Sequence, residues 1–287
     1  MLVIVGIVVV FGCVFGAYAV HGGHLGVLWQ PSEFVIILGA GVGALIIGST
    51  KTGLKAVGAA FKRAFKGPVY KKADYVELLS VLYQLFRLAK TKGMLALEQH
   101  VEKPDESTLF AQFPKFQHDH HAVEFLCDYL RMMTLGTENP NEVETLIDAE
   151  LETHHAELHV GSHSIQSMAD ALPALGIVAA VLGVIHTMGS ITEPPEILGH
   201  LIGAALVGTF FGILMSYGVF APLATIVSAT DTADAKYYQC IKAGLLAHMQ
   251  GYPPAVSVEF ARKVLWSTER PSFYEVEQAV SALPTPA

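Results

Sequence analysis

The chain has 287 residues, of which 52% are hydrophobic and only 15% charged, with a formal net charge of −8. Mean hydropathy is +0.44, and this apolar excess excludes an ordinary soluble domain, where roughly a quarter of residues are charged. The acidic balance leaves no basic stripe for nucleic acid. Three isolated cysteines (Cys13, Cys127, Cys240) form no CxxC or ligand spacing, and packing is the expected role of Cys13 in its apolar block.

Hydrocarbon about 30 Å thick needs roughly 20 helical residues. Residues 1–20 supply a first span without a charge. Ala17-Tyr18-Ala19 mimics a signal-peptidase site, but no basic residue precedes Lys51, so the positive n-region of a cleaved signal is missing. Residues 34–50 supply a second span, with Pro31-Ser32-Glu33 as its helix-start signal.

A long polar segment follows. Leu78, Leu79, Leu82, Tyr83, Leu85 and Phe86 form a broad helical stripe ending at Gly93. Residues 121–136 predict another amphipathic helix. The acidic stretch from Pro140 to Asp170 is expected to run without a break into the third span at 171–192, making one long helix. Residues 197–230 are a fourth charge-free run, too long for one straight span, and its C-terminal part is expected to leave the bilayer near Pro222.

All 18 Lys and Arg lie in 51–131 or 236–270, and the connections 21–33 and 193–199 have none. The positive-inside rule therefore puts both termini and the 51–167 segment in the cytoplasm. The expected fold class is all-α, a polytopic membrane protein with four transmembrane helices and a helical cytoplasmic domain. Its expected organisation is a hairpin at 1–50, a cytoplasmic helical domain at 51–167, a second hairpin at 168–230 and a cytoplasmic helical tail at 231–287.

Two histidine clusters invite a zinc reading: His118, His120 and His121 around Asp119, and His154, His155 and His159. Without HExxH, and in strongly polar surroundings, a solvated face is the preferred reading. Nucleophile–base pairs and phosphate loops are missing, so neither an enzyme nor a cofactor is expected. Gly39-Ala-Gly-Val-Gly43 lies inside an apolar run and fails the strand-to-helix context of a dinucleotide motif.

What remains is packing and permeation. Pro173, Gly176, Ala180, Gly183 and Thr187 share one helical stripe; Ala204, Gly208 and Gly212 form a small-residue seam on the fourth span, and Gly39 and Gly43 another on the second. Such seams serve either bundling within the chain or the reception of neighbouring helices. Thr209 and Ser216 add hydroxyls on a common face, so the stripes suit a narrow, weakly polar path. No carboxylate is counted in any span, so an ion path needs its acid from another polypeptide. His186 and His200 fall near the outer ends, where interface placement explains them.

The stretches LPALGIVAAVLGVIHTMGS, ALVGTFFGILMSYGVFAPLA and GYPPAVSVEFARKVLWSTERPSF closely resemble the MotA family of flagellar motor stator proteins. The resemblance runs from GAYAVHGGHLGVLWQPSEF to the ERPSF tail. It implies a homopentamer surrounding two helices of a MotB partner, which brings the proton-binding aspartate and a peptidoglycan anchor. Ion flow is then expected to turn the ring, whose cytoplasmic domain pushes the switch protein of the rotor. Residue by residue, Pro173 and Pro222 match functional prolines of the ion path, Thr209 a polar pore position and Tyr217 a nearby aromatic. Glu98 matches an acidic rotor contact. Lys90 stands where the family commonly has arginine, so it keeps the charge without the bidentate fork; Arg87 is expected to share the task. Glu150 matches a further charged position. Sodium-driven relatives typically carry threonine where this chain has Ala180, which favours H+ as the transported ion. The expected location is the bacterial inner (plasma) membrane, and the rival expectations are an ExbB/TolQ-like energiser of outer-membrane processes and a purely structural membrane scaffold.

Overall fold

The computed structural model describes residues 2–137 and 139–284. The first residue of the first expected span and residues 285–287 of the expected tail therefore lie outside the described residues. Helices run in chain order as α1 (Leu2–Val20), α2 (Pro31–Ile47), α3 (Lys51–Lys66), α4 (Lys72–Lys92), α5 (Leu95–Val101) and α6 (Pro114–Gln117). There follow α7 (His120–Thr134), α8 (Pro140–Met188), α9 (Pro195–Met215), α10 (Ala221–Met249), α11 (Pro254–Lys263) and α12 (Phe273–Ser281). No strand occurs among the described residues. The all-α fold class therefore holds.

Four helical stretches are long and apolar enough to cross a membrane: Leu2–Val20, Leu25–Ile47, Pro140–Met188 and Pro195–Met249. The acidic stretch and the third span form one 49-residue helix, as expected. Around Pro222 the fourth run stays helical. A π-helical turn at Ser216–Phe220 joins α9 to α10, and the Ala221 amide donates to the Ser216 carbonyl. Proline has no amide to donate, and a π-turn absorbs the mismatch while the chain stays helical.

The chain divides into two compact units, residues 1–67 with 157–230 and residues 68–156 with 231–287. In the first, Ile37 packs with Met168, Leu172 and Ala179. A second cluster joins Val57, Ala60 and Ala64 of α3 to Ile165, Leu223, Ala224 and Val227. Thr50 starts α3 by accepting a hydrogen bond from the Gly53 amide at 3.1 Å.

The other unit is built on α4. Leu78, Leu79, Leu82, Leu85 and Phe86 are fully buried, against Val143 and Ile147 of α8 and Ile241 and Leu245 of α10. Gly93, at φ +87°, ends α4 in a conformation that costs a side-chain-bearing residue strain. Asp119 caps α7 through the Ala122 amide at 3.2 Å and accepts from the Tyr70 hydroxyl at 2.7 Å. The centre of the first histidine cluster is thus spent on a helix start.

The ERPSF stretch is a clamp for the end of the chain. Arg262 is buried, paired with both carboxylate oxygens of Glu259, and donates to the Pro271 carbonyl at 2.8 Å. Ser272 and Glu275 form a capping box at the start of α12, and Lys72 pairs with Glu275 at 2.8 Å. The Lys72 ammonium, helped by Ser272, lowers the Glu275 carboxyl from its ordinary 4.5 to about 2. Arg262 likewise lowers Glu259. Such carboxylates stabilise the fold in full above their unfolded value and lose that contribution as pH falls toward the folded one. Protease cleavage around α12 is expected to increase as pH drops from 6 to 3. In Glu275→Gln cleavage should already be raised at pH 6 and change less, and equal pH profiles in the two proteins would refute this.

Candidate functional site

In the first unit, α8 and α9 approach until their backbones touch. A Cβ built on Gly212 would lie 2.6 Å from the Leu172 carbonyl oxygen, and one on Gly176 would lie 2.9 Å from the Gly208 carbonyl oxygen. At Gly183 it would meet the Ala205 Cβ at 2.7 Å. Lipid gives helices no hydrophobic drive toward each other, so association rests on such close packing. The glycines of both stripes are therefore used for bundling within the chain. The second-span seam is different: Gly39 and Gly43 face open space, and Gly41 instead meets Leu172 and Met168.

The expected path residues lie along or beside this contact. Pro173 and Ala180 are half-buried on α8, with Pro173 inside the helix. Thr209 is half-buried on α9, its Cα 3.3 Å from the Cβ position built on Gly176. Thr187 is buried and donates to the Gly183 carbonyl at 2.9 Å, which satisfies its hydroxyl locally. Tyr217 is exposed in the π-turn, and Pro222 is exposed one turn later. His186 and His200 are both exposed.

The expectation that no span carries a carboxylate is corrected by Glu33. It belongs to the first turn of α2, inside the second apolar stretch, and is only 8% exposed. Its Oε2 has no hydrogen-bond partner among the described residues. That oxygen lies 2.7 Å from where a Cβ on Gly208 would stand, and Oε1 lies 3.8 Å from the equivalent position at Gly183. Glu33 therefore points at the α8–α9 seam, where a carboxyl group can hold a proton. The sequence signal was its register: Glu33, Ile37 and Gly41 are the buried residues of α2, each four apart. Glu33 instead reads as an ordinary acid at a helix start. A second polypeptide is not needed merely to bring a carboxyl group into the bundle; the case for one rests on kinship.

In the second unit, Arg87 is half-buried and Lys90 exposed near the end of α4, and Glu98 is exposed on α5 beyond the Gly93 turn. These two helices pack on each other. Lys90 and Lys92 occupy the last turn of α4, where cations complement the helix dipole. His100 behind them is buried and bonded to Ser107 at 2.8 Å. Glu150 lies on α8, exposed, and accepts a hydrogen bond from the Tyr129 hydroxyl. Burial first, and then Glu150, push the Tyr129 phenol upward, so it remains a donor.

A helical membrane chain with a buried acid at a backbone-to-backbone seam has the makings of an ion-conducting subunit, and the comparisons agree. Residues 117–239 match the MotA/TolQ/ExbB proton channel family, and residues 4–93 match the N-terminal region of motility protein A. Motility protein A of Salmonella typhimurium is 45% identical over 286 residues, covering 100% of this chain and 97% of that protein. The Escherichia coli protein of the same name is equally similar, with the same coverage. Among solved structures, that of Campylobacter jejuni MotAB has a TM-score of 0.76 at 21% identity, covering 94% of this chain and 98% of that one. The Bacillus subtilis flagellar MotAB stator complex has a TM-score of 0.70 at 24% identity, covering 89% and 92%; both likenesses concern the fold. The chain belongs to the motility protein A family.

Gly212→Ala is expected to destabilise the bundle by about 1–3 kcal/mol, because the methyl group meets backbone that has no room to yield. Gly39→Ala, facing open space, should be near neutral. Thermal unfolding of the detergent-solubilised chain measures both, and equal midpoints would contradict the seam.

Proposed function

We propose that the chain is the stator subunit of a bacterial flagellar motor, forming with MotB a proton channel whose ion flow turns a ring of these chains and applies torque to the rotor. The observation that carries this reading is its kinship with motility protein A from end to end. The coverage runs through all four apolar helices, which favours a stator over an ExbB/TolQ-like energiser. The chain then sits in the inner membrane with both termini cytoplasmic, a placement supported by the one-sided distribution of its 18 basic residues. The hairpins 1–50 and 168–230 lie in the bilayer, and 51–167 and 231–287 form the cytoplasmic part.

In this reading five copies surround two MotB helices, whose aspartate carries the proton and whose outer part grips peptidoglycan. Pro173, Ala180, Thr209, Tyr217 and Pro222 border the path. Each proline removes a backbone donor, which makes its helix easier to bend when a neighbouring acid changes charge. A proton crossing about 150 mV releases about 3.5 kcal/mol, scaled from about 2.3 per 100 mV. That is enough to bias a two-state shift several-hundred-fold. Lys90 with Arg87, Glu98 and Glu150 offer charges of both signs to the switch protein of the rotor.

Produced with MotB in a motor lacking its own stator, the chain should restore swimming that persists without sodium and stops with a protonophore. Pro173→Ala should abolish that swimming while membrane insertion is retained. Torque that follows the sodium gradient, or normal swimming of the variant, would overturn the respective assignment. Glu98→Lys should reduce torque at least severalfold and leave proton leakage unchanged. Altered proton flux with intact rotor recruitment would move Glu98 off the rotor face.

A further inference from the structure

The helix that follows the second span has a face that neither the family reading nor the seam uses. α3 begins at Lys51, just after α2 ends at Ile47. Its buried side is Gly53, Val57, Ala60 and Ala64. On the opposite side Lys51, Lys55, Lys62 and Lys66 are all exposed. At about 100° per residue these four fall within one stripe about 60° wide. None of them is ion-paired among the described residues, and no Asp or Glu occurs between Glu33 and Asp74. Phe65, 46% exposed, sits beside the stripe.

α3 packs against α8 within the first unit. A Cβ on Gly53 would lie 3.7 Å from Val160, while one on Gly161 would meet the Ala60 Cβ at 2.8 Å and the Ala56 carbonyl oxygen at 2.9 Å. Val57, Ala60 and Ala64 also share a cluster with Ile165 of α8 and with Leu223, Ala224 and Val227 of α10. The apolar side of α3 is thus held on the helices that carry the third and fourth apolar stretches, and its lysine side is turned away from them. Only three residues separate Lys51 from Ile47, the end of the second apolar stretch, which sets the start of α3 at the membrane–water boundary.

From this geometry we infer that the Lys51–Lys66 face of α3 binds the anionic phospholipid headgroups of the adjoining leaflet. A basic stripe on an amphipathic helix at that depth is attracted to phosphate-bearing lipid, and an aromatic ring beside it suits the acyl boundary. No acid in the forty residues of this segment offsets the charge, which favours a phosphate-bearing partner.

The test uses the full-length chain in phosphatidylcholine vesicles carrying trace spin-labelled phosphatidylglycerol or spin-labelled phosphatidylcholine. The motionally restricted fraction of each label reports relative association. The native chain should prefer phosphatidylglycerol, and the preference should weaken at 1 M salt, where screening reaches about 3 Å. Lys55→Gln/Lys62→Gln should lower the preference severalfold, up to about fivefold per lysine, and Lys55→Arg/Lys62→Arg should keep it. Lys103→Gln/Lys263→Gln, away from α3, should behave as the native chain. The proposal is overturned if the native chain shows no preference, or if both glutamine variants lose it equally. It is equally overturned if Lys55→Gln/Lys62→Gln changes the mass of the assembly while lipid preference stays intact, since a second copy would then cover this face.

Discussion

The first unit depends on one contact, the approach of α8 and α9 to backbone distance at Gly176, Gly208 and Gly212. In water, a helix pair is held by the apolar area it removes from solvent. Between lipid tails that drive is gone, and only dispersion between closely fitted surfaces and polar contacts remain. Glycine is therefore not a flexible element here. It is a flat surface, and a Cβ at Gly212 would fall 2.6 Å from a carbonyl oxygen.

The same flatness gives Glu33 its place. A carboxyl group is costly to bury among apolar helices unless it has a partner or carries a proton. Glu33 reaches the seam because Gly208 and Gly183 have no side chains to occupy that space. Close packing and a polar foothold within the bundle thus have one structural cause. The π-turn before Pro222 is the complementary device on α9, since it loosens the helix register where the seam ends.

The other unit obeys ordinary aqueous rules. Its core is aliphatic and aromatic, centred on the buried face of α4, and most of its charged side chains lie on the surface, with Asp231, Asp234 and Arg262 buried. Its terminal helix is short, and a helix of nine residues is marginal in water by itself. The Arg262–Glu259 pair, the capping box and the Lys72–Glu275 contact hold it, so the tail motif that identifies the family has a structural job.

Much of this was written in linear order. Apolar runs without charge specify membrane helices because unpaired backbone groups cannot remain in hydrocarbon. The stripe from Leu78 to Phe86 announced α4, and the acidic stretch from Pro140 announced the head of a long helix. What the linear order did not settle was which partner each seam meets. Gly176 and Gly212 face each other within the chain, while Gly39 and Gly43 face open space, although Gly39–Gly43 and Gly208–Gly212 carry the same spacing. Nor did it reveal Glu33, whose position two residues after Pro31 reads as a helix start, or the spending of Asp119 on Tyr70 and a cap. Those outcomes depend on which helices become neighbours and at what angle. Periodicity fixes a face, but only tertiary packing decides what that face touches.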